Sequence, residues 1–174
     1  MQAEFLRSAL SCLVCTFAGA ALIAAAPAVP AGWKVVKSPR RLTRTASPTD
    51  QGGGGSCQIA VPPAMVVDTE ADRTVGQTGH MKTPDGNLSV SIQEHPPGET
   101  LARAKEVAMM FNKDAKAKED SPTRVWLTYT RAGTEYWEVL VPGNPVVCSA
   151  HFIIHDDRLE DAANSIVPTV GSAR

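Results

Sequence analysis

Apolar residues fall into three patterns along this 174-residue chain. The first is a run from Ala9 to Ala26, preceded by Met1 and Arg7 and followed by small residues at Ala26, Ala28 and Ala31. The second has period two, the mark of a strand with one face in a core. Cys57-Gln58-Ile59-Ala60-Val61 tends toward it and stops at Pro62-Pro63, while Leu88, Val90 and Ile92 alternate cleanly with Ser89, Ser91 and Gln93. Val75 to Thr83 reads as the partner of that strand through a Pro84-Asp85-Gly86-Asn87 turn, which predicts a hairpin. Asp68 to Arg73 is polar and reads as a loop. The third pattern is helical. Leu101, Ala104, Ala108, Phe111 and Ala115 recur at three and four, Val107 widens the stripe, and Thr100 is the expected N-cap. Met109 and Met110 are expected to fill core gaps or flank that stripe.

Pro122 closes the helical region. Thr123 to Arg131 and Thr134 to Val141 are β-rich around Ala132-Gly133, a two-residue hairpin turn. After the loop Pro142-Gly143-Asn144-Pro145, Val146 to His155 reads as the last strand, with Cys148, Ala150, Phe152 and Ile154 on one face. Asp157 and Glu160 form a capping-box-like pair for a final helix with a stripe of Leu159, Ala162, Ala163 and Ile166, ended by Pro168. The order β-β-β-α-β-β-β-α predicts an α+β fold, a mainly antiparallel sheet of about six strands with two packed helices.

The apolar run predicts the compartment. Its length lies between the core of a cleaved leader, about 7–15 residues, and a spanning helix of about 20. Residues 1–31 are read as a signal peptide, cut after Ala28 or Ala31, and the protein as secreted or periplasmic. A lipidated Cys15 would fall in the middle of the run, against that reading. Lys34, Lys37, Arg40, Arg41 and Arg44 follow the run with no acid before Asp50. Positive flanks favour the cytoplasmic side, so an uncleaved N-terminal membrane anchor is the alternative.

Charge divides what remains. Residues 32–56 carry five basic and one acidic residue (5 − 1 = +4) and end in Gly52-Gly53-Gly54-Gly55-Ser56. They read as a basic flexible arm and linker, capable of weak membrane-surface contact at about 1 kcal/mol per basic residue. Residues 57–174 form a single domain with eleven basic and sixteen acidic residues (11 − 16 = −5). That balance argues against nucleic acid as a partner.

Outside the cytoplasm, Cys57 and Cys148 can oxidise. Each shares a strand face with apolar residues, as a buried disulfide requires. Closing their 91-residue separation (148 − 57) is worth about 4.6 kcal/mol on the chain-entropy model.

Candidate chemistry is sparse. His151 and His155 share a strand face but stand about 13 Å apart, too far to hold one ion. Asp68, Glu70 and Asp72 begin like a calcium loop, which then fails at Arg73 and Gly79. There is no Gly-x-Ser-x-Gly, and the glycine run lacks the lysine and helix of a phosphate loop. No catalytic, metal or cofactor residue is assigned, and an enzyme is not expected. The aromatic residues are more informative. Pairing through Ala132-Gly133 sets Tyr129 opposite Tyr136, and Trp137 opposite Thr128 and diagonal to Trp126 on the other side of the sheet. An uncovered row would be a binding surface; the competing expectation is that both rows are covered.

Several segments carry a resemblance. These are Val61-Pro62-Pro63, Val75-Gly76, the Pro84-Asp85-Gly86 turn, Glu99-Thr100-Leu101, Tyr136-Trp137 with Pro142-Gly143, and the closing amphipathic helix. From Cys57 to Val170 the chain resembles the PsbP/Mog1-like α/β sandwich, in particular small secreted bacterial members of unknown function. The resemblance implies a protein-binding or accessory module and transfers no functional residue. The expected function is an exported, non-catalytic interaction module of the cell envelope, whose partner is a protein or another envelope component. The alternative is an envelope enzyme with a site assembled only in three dimensions.

Cys148→Ser is expected to lower the melting temperature in oxidising buffer and to change it little under reductant. Thermal denaturation in both buffers checks this, and equal loss in the two would mean a buried free thiol.

Overall fold

A computed structural model of the chain describes residues 28–38, 55–75 and 79–173. Nearly all of the expected signal peptide (1–27), and most of the basic arm and glycine run (39–54), lie outside the described residues.

The described residues form an α+β fold with two antiparallel sheets. Its elements are β1 (Lys34–Lys37), β2 (Cys57–Val61), β3 (Val66–Val67), α1 (Thr69–Val75), β4 (His80–Lys82), β5 (Leu88–Glu94) and α2 (Leu101–Phe111). They continue with β6 (Lys116–Ser121), β7 (Arg124–Arg131), β8 (Thr134–Pro142), β9 (Val147–Ile154), α3 (Glu160–Ile166) and β10 (Gly171–Ser172). The large sheet has the order β3-β4-β5-β9-β8-β7-β6, and the small one β1-β2-β10.

Alternation decides which residues meet. Leu88, Val90 and Ile92 of β5 pair with Ile154, Phe152 and Ala150 of β9, which in turn adjoin Trp137 and Val139 of β8. These residues make the front face of the large sheet. The small sheet closes over it through β2, joined by α3 and the turn after it, so that Ile59, Val61, Ile166 and Val170 complete one apolar layer. Thr169 ties the turn to β2 by accepting the Ala60 N–H at 2.9 Å. Cys57 and Cys148 sit fully buried in this layer, bonded, with Cα atoms 5.5 Å apart. The bond joins β2 of the small sheet to β9 in the middle of the large one. On the back face α2 packs Ala104 and Ala108 against Val125, Leu127 and Leu140.

The six strands expected from alternation are present as β2, β4, β5, β7, β8 and β9, but not in the one sheet expected: β2 lies in the small sheet, and four further strands are found among the described residues. Lys34–Lys37 was expected to belong to a flexible arm but pairs along the whole of β2 as β1, burying Trp33 and Val36 partway against the core. Asp68 to Arg73 was expected as a loop; instead α1 starts there, capped by the Asp68 carboxylate, which accepts the Ala71 N–H at 3.2 Å. The expected strand from Val75 therefore begins only at His80. The helical region does not run to Pro122. It ends at Phe111, where the Asn112 backbone and side chain both donate to the Ala108 carbonyl. The charged stretch Lys116–Ser121 becomes the edge strand β6, whose mostly exposed residues leave no alternation to read. Met109, Met110 and Phe111 fill no core gap. They are exposed at the end of α2, outside the cluster in which Ala104 and Ala108 pack against Val125, Leu127, Leu140 and Val147.

One expectation about the glycine run is also corrected. Gly55 is buried, not a free linker residue, and a Cβ there would lie 2.0 Å from Ser38 Oγ and 2.5 Å from the Ser38 carbonyl. Ser38 is itself buried, donating to Glu94 at 2.9 Å and taking the Cys57 N–H at 3.3 Å. Gly55→Ala must push this junction apart. The expected result is a loss of about 1–3 kcal/mol in chemical denaturation, with Gly86→Ala, where the space is open, as the strain-only comparison.

Candidate functional site

The expected aromatic register holds. Tyr129 pairs with Tyr136 and Trp137 with Thr128, and the two rows lie on opposite faces. The Trp row belongs to the front layer. Trp137 is 1% exposed and Trp126 half-buried, their rings edge-to-face with centroids 5.0 Å apart. The Tyr row lies on the back face, half-buried and stacked with centroids 5.4 Å apart, and the Arg131 guanidinium lies 5.3 Å from the Tyr129 ring. Neither row is a bare patch. What is bare is the end of α2 beside the tyrosines, where Met110 is 59% and Phe111 71% exposed.

Two grooves flank α2. One, of about 250 Å³, is lined by Met110, Phe111, Tyr129 and Arg131. Arg131 braces it, donating to the Phe111 carbonyl and to Asn112. The other, of about 780 Å³, runs between α2 and β6 past Leu101, Met109, Pro122 and Val125, bridged by a Lys105–Asp120 ion pair.

The back face carries a third feature that the sequence reading missed. In one row across the sheet, His80 pairs with Ser91, Ser91 with His151, and His151 with Glu138. Ser149, two residues from His151, has its hydroxyl 2.9 Å from His151 Nε2. Glu138 is 6% exposed, and burial pushes its carboxyl up to about 7 against a hydrogen bond from Ser149 that pulls it down. Burial also pushes His151 down to about 4, with His95 and His80 adding to that fall. Near neutrality the histidine is therefore uncharged, and the acid holds its proton far above the range of an ordinary carboxyl. His151 Nε2 and the Ser149 hydroxyl share one hydrogen bond, whose donor is set by the histidine tautomer. Two other histidines are partnered by acids, His80 with Asp72 at 2.8 Å and His95 with Glu99 at 3.1 Å. His155 is exposed at the end of β9, where its Nδ1 lies 3.2 Å from the Thr134 hydroxyl.

A sequence signal for Glu138 existed: an acid inside the apolar run Trp137 to Val141, on the parity of the tyrosines. The only group of three acids or histidines among the described residues with mutually close ligand atoms is Glu135, Asp157 and Glu160, at the front of the sheet. No helix among the described residues is long and apolar enough to cross a membrane.

No family model matches the chain, and no curated protein matches it. Among solved structures it is similar to a crystallised protein of Bacteroides thetaiotaomicron VPI-5482, at 14% identity and a TM-score of 0.40. The superposition covers 68% of this chain and 45% of that one, so the chain spans less than half that protein's length. An overlap this slight transfers no function.

The shifted pair makes opposite contributions to stability. Glu138 holds a proton in the folded state that the unfolded chain releases near 4.5, so its contribution is present below that value and lost as pH rises through about 7. His151 contributes above 6.5 and loses that contribution as pH falls toward about 4. Glu138→Gln is therefore expected to gain stability over the parent at about pH 8, by at most about 3 kcal/mol, and to match it below about pH 5. Melting curves across that range check this; a parallel pH dependence in the two proteins would contradict it.

Proposed function

We propose that the protein is an exported, non-catalytic interaction module of the cell envelope, built on a PsbP/Mog1-like sandwich, which binds its partner with the β6–β8 side of the large sheet. The exposed Met110-Phe111 tip beside the stacked tyrosines carries this reading. Burying two large apolar side chains against a partner is worth about 1.5–3 kcal/mol each, and a groove braced by Arg131 lies next to them. The buried disulfide suits an oxidising compartment, and the leader read from residues 1–31 supplies the route there.

An envelope enzyme is the second reading, favoured by the Ser149–His151–Glu138 group with its two shifted side chains. It ranks below binding because Ser149 is 1% exposed and neither Glu138 nor His151 lines either groove beside α2.

The test is a photoreactive residue at Phe111, with one at the exposed Asp85 turn as control, irradiated in the native host. The expected result is a discrete adduct from Phe111 that Met110→Glu abolishes and Asp85 does not give. Equal adducts at both positions, or none at Phe111, would overturn the reading.

A further inference from the structure

Lys118 is seated over both tryptophans, its Nζ 4.1 Å from the Trp126 ring centre and 4.7 Å from that of Trp137. It reaches them from an exposed edge, where the β6–β7 register shifts between Ala117 and Glu119 and leaves Lys118 as the bulged residue. An ammonium has three donors to satisfy. This one donates to Asn164 Oδ1 at 3.3 Å and forms no ion pair among the described residues. The close group Glu135, Asp157 and Glu160 lies beside the rings, with Glu135 accepting the Trp137 Nε1–H at 2.5 Å. Burial and the Glu135 charge hold the Glu160 carboxyl above its ordinary range, and Lys118 opposes that rise. The Trp126 Nε1–H is buried with no acceptor.

Two π faces within reach of one charge, with three carboxylates beside them, favour a cation that presents apolar surface to the rings. We infer that the Trp126–Trp137 corner is a binding site for a quaternary ammonium headgroup of the choline type, and that Lys118 is its internal stand-in. A trimethylammonium group sets its methyls against the two rings and its charge beside the three carboxylates without requiring a hydrogen bond. Lys118 is a weak competitor. A cation–π contact is worth about 0.5–2 kcal/mol, and ordering a lysine side chain costs about as much. The site deepens the binding-module reading and rests on it, but uses the opposite face from the Phe111 tip.

The test titrates the full chain and its Lys118→Ala variant with choline, with the neutral carbon isostere of choline, and with phosphatidylcholine or phosphatidylglycerol vesicles. Tryptophan fluorescence is the readout. Lys118→Ala is expected to bind choline about tenfold more tightly than the parent and to ignore the isostere. Adding Trp126→Leu, in a protein whose circular dichroism is unchanged, is expected to abolish the response. Binding to phosphatidylcholine but not phosphatidylglycerol vesicles identifies a lipid headgroup, and a response to free choline alone a soluble ligand; either supports the site. No saturable response in either protein, equal affinity in both, or equal binding of the isostere would overturn it. A Phe111 adduct without any choline response would leave the binding-module reading standing and remove only this site.

Discussion

The contact between the small sheet and the front of the large one is what the rest of the structure depends on. Three short strands and a two-turn helix have little surface of their own to bury, and β2 is their only extended strand inside the apolar layer. The Cys57–Cys148 bond lies at that contact, tying β2 to the centre of the large sheet. Ser38, Gly55 and Glu94 close the layer at one end, and Thr169 with Ala60 holds the turn after α3. Constraining the unfolded chain across so long a loop gives a small domain a margin its core alone would supply weakly.

With the front face committed to packing, function falls to places where cover stops. The back face is covered over β7 and β8 by α2 and carries polar residues across β4, β5 and β9, so Ser91, Ser149, His151 and Glu138 stand on its floor. The Ser149 hydroxyl bonds His151, and burial holds the neighbouring Glu138 carboxyl above its ordinary range. Such a group stiffens a sheet at a cost that varies with pH. The end of α2 is different. Its last apolar residues, Met110 and Phe111, stay exposed beside the groove that Arg131 braces.

The long strands, the order of the main elements and the disulfide were legible because alternation is strong where one face is buried and the other is not. Cys148, Ala150, Phe152 and Ile154 show it, and so does the 129–136 register set by a two-residue turn. The missed elements lack that asymmetry. β6 is charged and mostly exposed, β3 and β10 are two residues long, and α1 hangs on the Asp68 cap rather than on an apolar stripe. Phe111 was misassigned because helical spacing gives the direction of a stripe but not how much of it the neighbouring sheet covers. The Trp row was legible as a row. Its surroundings were not, since Lys118 comes from the unread strand and Glu160 from a helix distant in sequence.

Edge protection and recognition meet in that strand. An open sheet edge invites pairing with another chain, and bulges and lysines are the usual defences. β6 has both at Lys118, and the bulge turns the side chain inward over the tryptophans instead of outward along the edge. Protection alone would be served as well by a lysine in water. A lysine folded onto two aromatic rings beside three carboxylates also keeps that negative, π-rich corner filled, and with a weakly held group. A corner sealed by apolar packing would stay closed, whereas one closed by a single exposed side chain opens by a rotamer change, and that difference makes this edge a place where a ligand can compete.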